Sequence, residues 1–301
     1  MSMKAAPRIT RLGLTVGDVE RAQAFYQHAL GFELVEREAR RGPAFEALTG
    51  LAGAKAEVAV LRLGAQEIEL AAFMPAGRGY SGQRAANDPW FQHFAIAVAD
   101  MERAYAEAVA HGGTPISRDG PQLLPPSTGS VTAWKFRDPE GHPLELSLIP
   151  HSAWTEAPAR PGPCLGIDHT ALAVADLAAS ERFYVDLLGF EAAGLGLNRG
   201  PEQDALDGLD SVELDIAVLR GASEGPHLEL LHYRHPVSRE APRQPTVNAI
   251  ASSRTIIACE DLQRLADRLR AAGVAFVSRA ATPSRFLVRD PDGHLVELYA
   301  A

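Results

Sequence analysis

The sequence predicts an α+β fold that contains four copies of one unit. Two stretches, residues 93–101 and 169–177, share one pattern: a histidine, an alternation of larger side chains with alanines, and an aspartate at which a helical pattern begins. Successive side chains of a strand point to opposite faces. One face of each predicted strand therefore suits a core. The other face, with His93 or His169 followed by alanines, leaves space for a pocket beside an imidazole.

Each copy begins with a strand, continues through a helix and a glycine-containing turn, and ends in a strand where a glutamate lies between apolar residues. The units are predicted at residues 8–75, 90–150, 165–234 and 247–301. Their strand glutamates are Glu69, Glu145, Glu229 and Glu297. The Pro-rich segment 151–163 is predicted to link a first domain, residues 1–150, to a second domain, residues 164–301.

An aspartate stands where each helix begins, and its carboxylate can accept hydrogen bonds from the unpaired amides of the first turn. These predicted N-caps are Asp18, Asp100, Asp176 and Asp261. A glycine follows each helix, where a C-cap needs positive φ. These predicted C-caps are Gly31, Gly113, Gly189 and Gly273. We expect all of these residues to be structural.

The composition is that of a soluble globular protein, with 46% hydrophobic and 22% charged residues among 301. No stretch approaches the roughly 18 consecutive apolar residues of a spanning helix, and no apolar signal core follows the N-terminus. A net charge of −9 with interspersed signs disfavours a nucleic-acid partner. We therefore expect a cytoplasmic protein, monomeric or homodimeric, with a small-molecule substrate and neither a nucleic-acid nor a membrane partner.

Two pairs of motifs support a family resemblance. Phe-Tyr followed by Leu-Gly-Phe occurs at 25–32 and again at 183–190, and Asp-Pro-Glu-Gly-His at 138–142 is matched by Asp-Pro-Asp-Gly-His at 290–294. In these motifs the chain resembles the vicinal oxygen chelate (VOC) superfamily, which includes glyoxalase I, extradiol dioxygenases, fosfomycin-resistance enzymes and bleomycin-binding proteins. The resemblance implies four βαβββ units that pair into two half-barrel modules, with a metal ion in the concavity of two paired units.

Candidate metal ligands come from first and last strands. They are His93, Glu145, His169 and Glu229. Two imidazoles and two carboxylates form a mixed nitrogen and oxygen set that suits one divalent ion such as Zn, Ni, Co, Fe or Mn. His142 and His294 each follow a glycine in a tight turn, and we interpret them as turn residues rather than ligands.

The pairing of the units decides whether these ligands meet. If consecutive units pair, each cavity combines one histidine, one arginine and two glutamates, and a guanidinium cannot bind a cation. If the second unit pairs with the third, one cavity holds all four candidate ligands. The cavity of the first and fourth units then holds two Arg–Glu pairs instead of a metal, from Arg11, Glu69, Arg254 and Glu297. We favour the second arrangement.

Three functions fit these residues. The first is a glyoxalase-like lyase or isomerase, in which Glu145 or Glu229 shuttles a proton. The second is an extradiol-type dioxygenase, but Arg254 stands where that class is expected to have its second histidine. The third is a binding or resistance protein without catalysis. The long Gly/Pro-rich segment 118–134 is interpreted as a lid or as a surface excursion.

Overall fold

A computed structural model describes residues 6–79, 84–156, 161–222, 225–238, 245–279 and 284–301. The first unit contains β1 (Arg8–Val16), α1 (Val19–Leu30), β2 (Glu33–Arg41), α2 (Pro43–Thr49), β3 (Lys55–Leu63) and β4 (Gln66–Met74). The second contains β5 (Gln92–Val98), α3 (Met101–Ala110), β6 (Thr114–Pro115), β7 (Gln122–Leu123), a 3₁₀ turn (Pro126–Thr128), β8 (Thr132–Arg137) and β9 (Pro143–Leu148).

A further 3₁₀ turn (Ala153–Glu156) follows within the predicted linker, of which residues 157–160 lie outside the described residues. The third unit contains β10 (Cys164–Ala173), α4 (Leu177–Glu181) with a π-helical continuation (Arg182–Leu188), β11 (Glu191–Arg199), α5 (Pro201–Asp207), β12 (Glu213–Arg220) and β13 (His227–His235). The fourth contains β14 (Ser253–Cys259), α6 (Leu262–Ala271), β15 (Arg285–Arg289) and β16 (Leu295–Ala300).

The strands form two sheets, one from the two middle units and one from the first and last units. One sheet has the order β11-β12-β13-β10-β5-β9-β8-β6, with β7 paired to β8, and so joins the second and third units. The other has the order β15-β16-β14-β1-β4-β3-β2 and joins the first and fourth. We call these half-barrels the inner and the outer module. The consecutive pairing is excluded, and each half of the chain contributes one unit to each module.

The main core joins the two sheets through the helices. The faces predicted to be bulky are buried there, with Phe94, Ile96 and Val98 of β5 beside Leu172 of β10 in one continuous apolar cluster that also includes Tyr26 of α1. The opposite faces of both sheets are thereby left free to line cavities. Among the described residues, no helix is both long and apolar enough to cross a membrane.

The helix caps follow the prediction with one exception. Each of the four aspartates accepts hydrogen bonds from amides of the first helical turn. Gly31, Gly189 and Gly273 have positive φ. The expectation for Gly113 is wrong, because α3 ends two residues earlier than expected and Gly112 takes the positive φ of 98°. Gly113 is instead packed tightly, since a Cβ there would lie 2.8 Å from the carbonyl oxygen of Ala108.

The two family motifs meet each other at the junction of the modules. The Tyr26 hydroxyl donates to Asp138 Oδ2 at 2.8 Å, and His142 lies with Nδ1 2.9 Å from the same oxygen and Nε2 3.1 Å from the Thr15 carbonyl oxygen. All three side chains are buried. The second copy repeats this, since Tyr184 donates to Asp290 at 3.0 Å and His294 Nε2 lies 2.9 Å from a backbone oxygen of β10. Both turn histidines therefore have structural partners that tie inner to outer module.

Candidate metal centre

The central strands of the inner module bring the two candidate histidines together. β5 and β10 are antiparallel, and their register places Ala171 opposite His93 and Ala95 opposite His169. Because each histidine faces an alanine, both rings have space on the concave face. Their ring centroids lie 5.9 Å apart.

Parallel pairing places the two glutamates beside these histidines. β9 aligns Glu145 with Ala95, and β13 aligns Glu229 with Ala171. Nε2 of His93 lies 3.3 Å from Glu145 Oε2, and Nε2 of His169 lies 3.6 Å from Glu229 Oε2. The four residues predicted from the sequence thus converge on one cavity, with candidate ligand atoms of His93, Glu145 and His169 all within 4.8 Å of one another.

The burial and hydrogen bonding of His93 indicate whether these four residues fit a cation. His93 is 2% exposed, and neither ring nitrogen makes a hydrogen bond within the described structure. An imidazole buried without partners is unfavourable, and its short contact to Glu145 lacks hydrogen-bond geometry. A divalent cation would satisfy the imidazole and the carboxylate together. The residues present therefore fit such an ion.

His169 is held by a carboxylate behind it, as metal-binding histidines usually are. A register shift between Ile167 and His169 turns Asp168 toward the ring, where Asp168 Oδ2 lies 3.0 Å from His169 Nδ1. The indole of Trp154 also donates to Asp168. Burial opposes the charged imidazole, but Glu229 and Asp168 together raise the pKa of His169 to about 9.

The two candidate glutamates have different surroundings. Ser147 donates to Glu145 Oε1 at 2.6 Å, and the ammonium of Lys135 lies 3.9 Å from Glu145 Oε2. Burial would raise the pKa of Glu145, but His93 and Lys135 hold it well below its usual range. Glu229 instead contacts His227, whose Nε2 lies 3.2 Å from Glu229 Oε1.

The sequence analysis did not identify four residues: Lys135, Asp168 and His227, which line the cavity, and Asp207, which pairs with Lys135. For two of them the alternation of residues along a strand indicates which face of the sheet the side chain occupies. His227 precedes Glu229 by two positions on one strand and so shares its face, and Lys135 alternates with the buried Trp134 and Phe136. No sequence pattern indicates the positions of the other two. A bulge orients Asp168, and Asp207 lies at the end of a short helix of another unit.

The inner cavity has a volume of about 470 Å³. Apolar residues of β12 and the glycines of β11, Gly194 and Gly196, line one side. Leu124, Ser127 and Val131 of the segment 118–134 line another, so the proposed lid segment borders the cavity. All four candidate ligands line this cavity.

The outer cavity, about 490 Å³, has ion pairs at the corresponding positions. Arg254 contacts Glu69 and also Glu297, the latter at 3.4 Å. The expectation that Arg11 pairs with Glu69 or Glu297 is wrong, because Arg11 binds Glu67 at 2.7 Å. Arg40, from β2, takes its place on Glu69 at 2.6 Å. Guanidinium groups cannot bind cations, so the outer cavity has no counterpart to the two histidines of the inner cavity.

Structural comparison shows that this fold is known. Glyoxalase I from Zea mays is 21% identical, with a TM-score of 0.63, and the match covers 98% of this chain and 92% of that one. A point mutant of the same enzyme gives an equal TM-score at 22% identity, with coverage of 98% and 94%. A putative dioxygenase from Bacillus subtilis is 15% identical, with a TM-score of 0.58 and coverage of 99% and 86%. No curated protein sequence matches significantly.

The family follows from the sequence itself. The model of the Glyoxalase/Bleomycin resistance protein/Dioxygenase superfamily matches residues 8–146 and 166–298. These two ranges include most of every strand of both half-barrel modules and all four candidate ligands. The chain therefore belongs to the glyoxalase, bleomycin resistance protein and dioxygenase superfamily, the family that its motifs resemble.

Proposed function

We propose that the inner cavity binds one divalent metal ion through His93, Glu145, His169 and Glu229. We further propose that the chain is a lyase or isomerase that transfers a proton on a small molecule with vicinal oxygens. The observation that carries the proposal is the buried His93, whose ring nitrogens have no hydrogen-bond partner in the described part of the chain, where three candidate ligands converge. A bound divalent cation would polarise a substrate carbonyl as a Lewis acid.

The contrast between the two glutamates divides their roles. Glu145 is fixed by Ser147 and lies near the Lys135 ammonium, which disfavours its protonation, so it acts as an anchor. Glu229 has a histidine, His227, as its neighbour and can pass a proton to it. We therefore assign Glu229 the role of general base. The apolar wall of β12 limits water around the transferred proton.

An extradiol-type dioxygenase is the second candidate. His93, His169 and Glu145 form the two-histidine, one-carboxylate set that non-haem iron(II) oxygenases use. Glu229 favours proton transfer over this alternative, because it adds a fourth ligand where an oxygenase needs open positions. A binding protein would need neither the histidines nor the glutamates.

The decisive experiment is metal analysis by mass spectrometry on protein purified without a His-tag. We expect about one divalent ion per chain in the native protein and in His111→Ala, a control at an exposed residue just after α3. We expect none in the double variant His93→Ala/His169→Ala. A metal-free native chain after supplementation would contradict the proposal.

Activity then separates the two enzyme candidates. A lyase or isomerase exchanges deuterium from solvent into an α-hydroxyketone, which proton NMR detects, and consumes no oxygen. Oxygen uptake with a catechol and iron(II), without such exchange, would instead support the dioxygenase.

A further inference from the structure

One charged side chain of the inner cavity breaks the symmetry of the four units. The residue directly opposite each strand glutamate on the neighbouring strand is Val60 in the first unit, Val218 in the third and Leu287 in the fourth. In the second unit it is Lys135, opposite Glu145. Lys135 is 3% exposed, so an ammonium is buried where the other units have an aliphatic side chain.

The partner of Lys135 also has an uncharged counterpart in the outer module. Lys135 Nζ lies 2.6 Å from Asp207 Oδ1, at the end of α5. The corresponding helix α2 ends in Thr49, and both helices are seven residues long and begin with proline. The positions Lys135 and Asp207 in the inner module thus correspond to Leu287 and Thr49 in the outer module.

The backbone around the two pairs is built in the same way. Ser117 Oγ accepts from the Lys135 amide and donates to the Leu206 carbonyl, both at 2.8 Å. Ser278 Oγ accepts from the Leu287 amide at 2.8 Å and donates to the carbonyl of Leu48 at 2.7 Å. The fold therefore accommodates an uncharged pair at these positions. The ion pair is a property of the inner cavity and not a requirement of the half-barrel.

Burying an ion pair carries a desolvation penalty that an apolar pair avoids. At these two positions the ion pair occurs only in the module whose cavity carries the candidate histidines, which indicates a use there. Lys135 lines this cavity, and Asp207 is the single hydrogen-bond acceptor of its Nζ in the described part of the chain. The remaining N–H groups are available to a ligand.

Asp207 is itself held in place, so the ammonium has a defined position. Gln203 donates to Asp207 Oδ2 at 2.8 Å, and Asn198 of β11 donates to Gln203 at 3.1 Å. A fixed cation in a buried site stabilises negative charge on a nearby oxygen far more than one in water does.

We infer that Lys135 donates a hydrogen bond to the substrate oxygen that carries or develops negative charge, and that the inner cavity selects anionic vicinal oxygens, such as a carboxylate or an enolate. This inference rests on the proposed function, because Lys135 Nζ lies 3.9 Å from Glu145 Oε2, beside the proposed metal ligands. Lys135 is then a catalytic residue outside the ligand set, and Asp207 is its positioning residue.

The test compares two planar probes of equal size, oxamate and oxamide, which differ by one negative charge. Binding of each to metal-loaded protein is measured by calorimetry, together with metal content. Lys135→Leu/Asp207→Thr reproduces the outer pair in the inner cavity, and Lys135→Gln/Asp207→Asn is a second uncharged pair should the first fold poorly. Lys135→Arg retains the charge. Leu287→Met/Thr49→Ser is the matched control in the outer module.

We expect the ratio of oxamate to oxamide affinity to fall by about tenfold or more in both uncharged pairs. We expect it to be largely kept in Lys135→Arg and unchanged in the control, with metal content constant throughout. An unchanged ratio in metal-loaded uncharged variants would overturn the role of Lys135 alone. Loss of metal from those variants would also overturn it, since the pair would then serve the metal centre. A native chain without metal would contradict the proposed function and, with it, this inference.

Discussion

The side chain of Arg254 lies directly across Gly13 on the concave face of the outer module. The two residues are opposite each other in the register of β14 and β1, and a Cβ on Gly13 would lie 2.6 Å from the Arg254 guanidinium carbon. In the inner module the same relationship joins His93 and Ala171. An imidazole leaves space for an alanine methyl group, whereas the longer arginine does not.

Gly13→Ala is therefore expected to displace Arg254 and to lower the free energy of unfolding by about 1–3 kcal/mol, as overpacking of a buried site does. The φ of Gly13 is not positive, so the effect is steric and not a backbone effect. Denaturant unfolding measures it. Gly196→Ala on β11 is the control, because its Cβ would meet nothing within 4 Å. Equal stability of the two variants would refute the steric account.

The ion pairs of Glu69 predict how stability depends on pH. Burial would raise the pKa of Glu69, but Arg254 and Arg40 lower it to about 2 from the ordinary value of 4.5. A carboxyl group whose pKa is lowered by folding contributes stability above its unfolded pKa and loses it as the pH falls through the folded pKa. This contribution is thus complete at neutral pH and declines between pH 4.5 and pH 2.

Glu69→Gln removes the carboxylate that Arg254 and Arg40 share and leaves them, among the described residues, only Glu297 and Glu38, respectively. It should lower stability at pH 7 by about 3 kcal/mol. The difference from the native protein should shrink as the pH falls below about 4, because the native carboxyl group is then being protonated as well. Thermal unfolding between about pH 2 and 7 follows this. Glu38→Gln, at a more exposed pair of Arg40, should change stability by less than about 1 kcal/mol. A difference that is constant with pH would contradict the assignment.

Much of the fold was predictable because its signals are local. The strand that begins at His93, the helix caps such as Asp100 and the repeated turn around Asp138 all depend on neighbours in sequence, and the structure confirms them. The favoured pairing of units was also correct. Only this pairing places His93 beside His169, and such a chemical constraint can select between topologies that local patterns leave equal.

What could not be predicted depends on register and on distant segments. No pattern near Lys135 shows that it faces Glu145, because that alignment is a property of two paired strands. Asp207 reaches the Lys135 ammonium from a helix 72 positions further along the chain, within a segment rich in acidic residues. The partner of Arg11 was mistaken for the same reason, since strand pairing sets it beside Glu67.

The buried Tyr26 hydroxyl should matter for stability and not for the metal centre. Tyr26→Phe removes the hydrogen bond to Asp138 that joins outer to inner module, and loss of a hydrogen bond to a charged group costs about 1.5–3 kcal/mol. Tyr184→Phe should behave alike at Asp290. Thermal unfolding and metal content are the measurements. Tyr105→Phe is the control, since this ring packs edge-on against Trp134 at the border of the core. Loss of metal from Tyr26→Phe would show that the network serves the site.

The different neighbours of the two inner glutamates lead to the last prediction. Glu229→Gln keeps an oxygen that can bind a cation but cannot accept a proton, so the proton-exchange rate at saturating metal should fall by about 10²–10⁴-fold. Glu145→Gln, next to Ser147 and Lys135, should weaken metal binding more than Glu229→Gln does and should recover more of its activity when metal is added.

Metal titrations and exchange rates on the two variants separate these effects. Glu297→Gln, at the position in the outer module that corresponds to Glu145, should alter neither metal content nor rate. If Glu145→Gln abolishes exchange at full metal occupancy while Glu229→Gln retains it, the roles are reversed. Ser147 and Lys135 would then hold Glu145 as the base, and the His227 contact would hold Glu229 as the anchor.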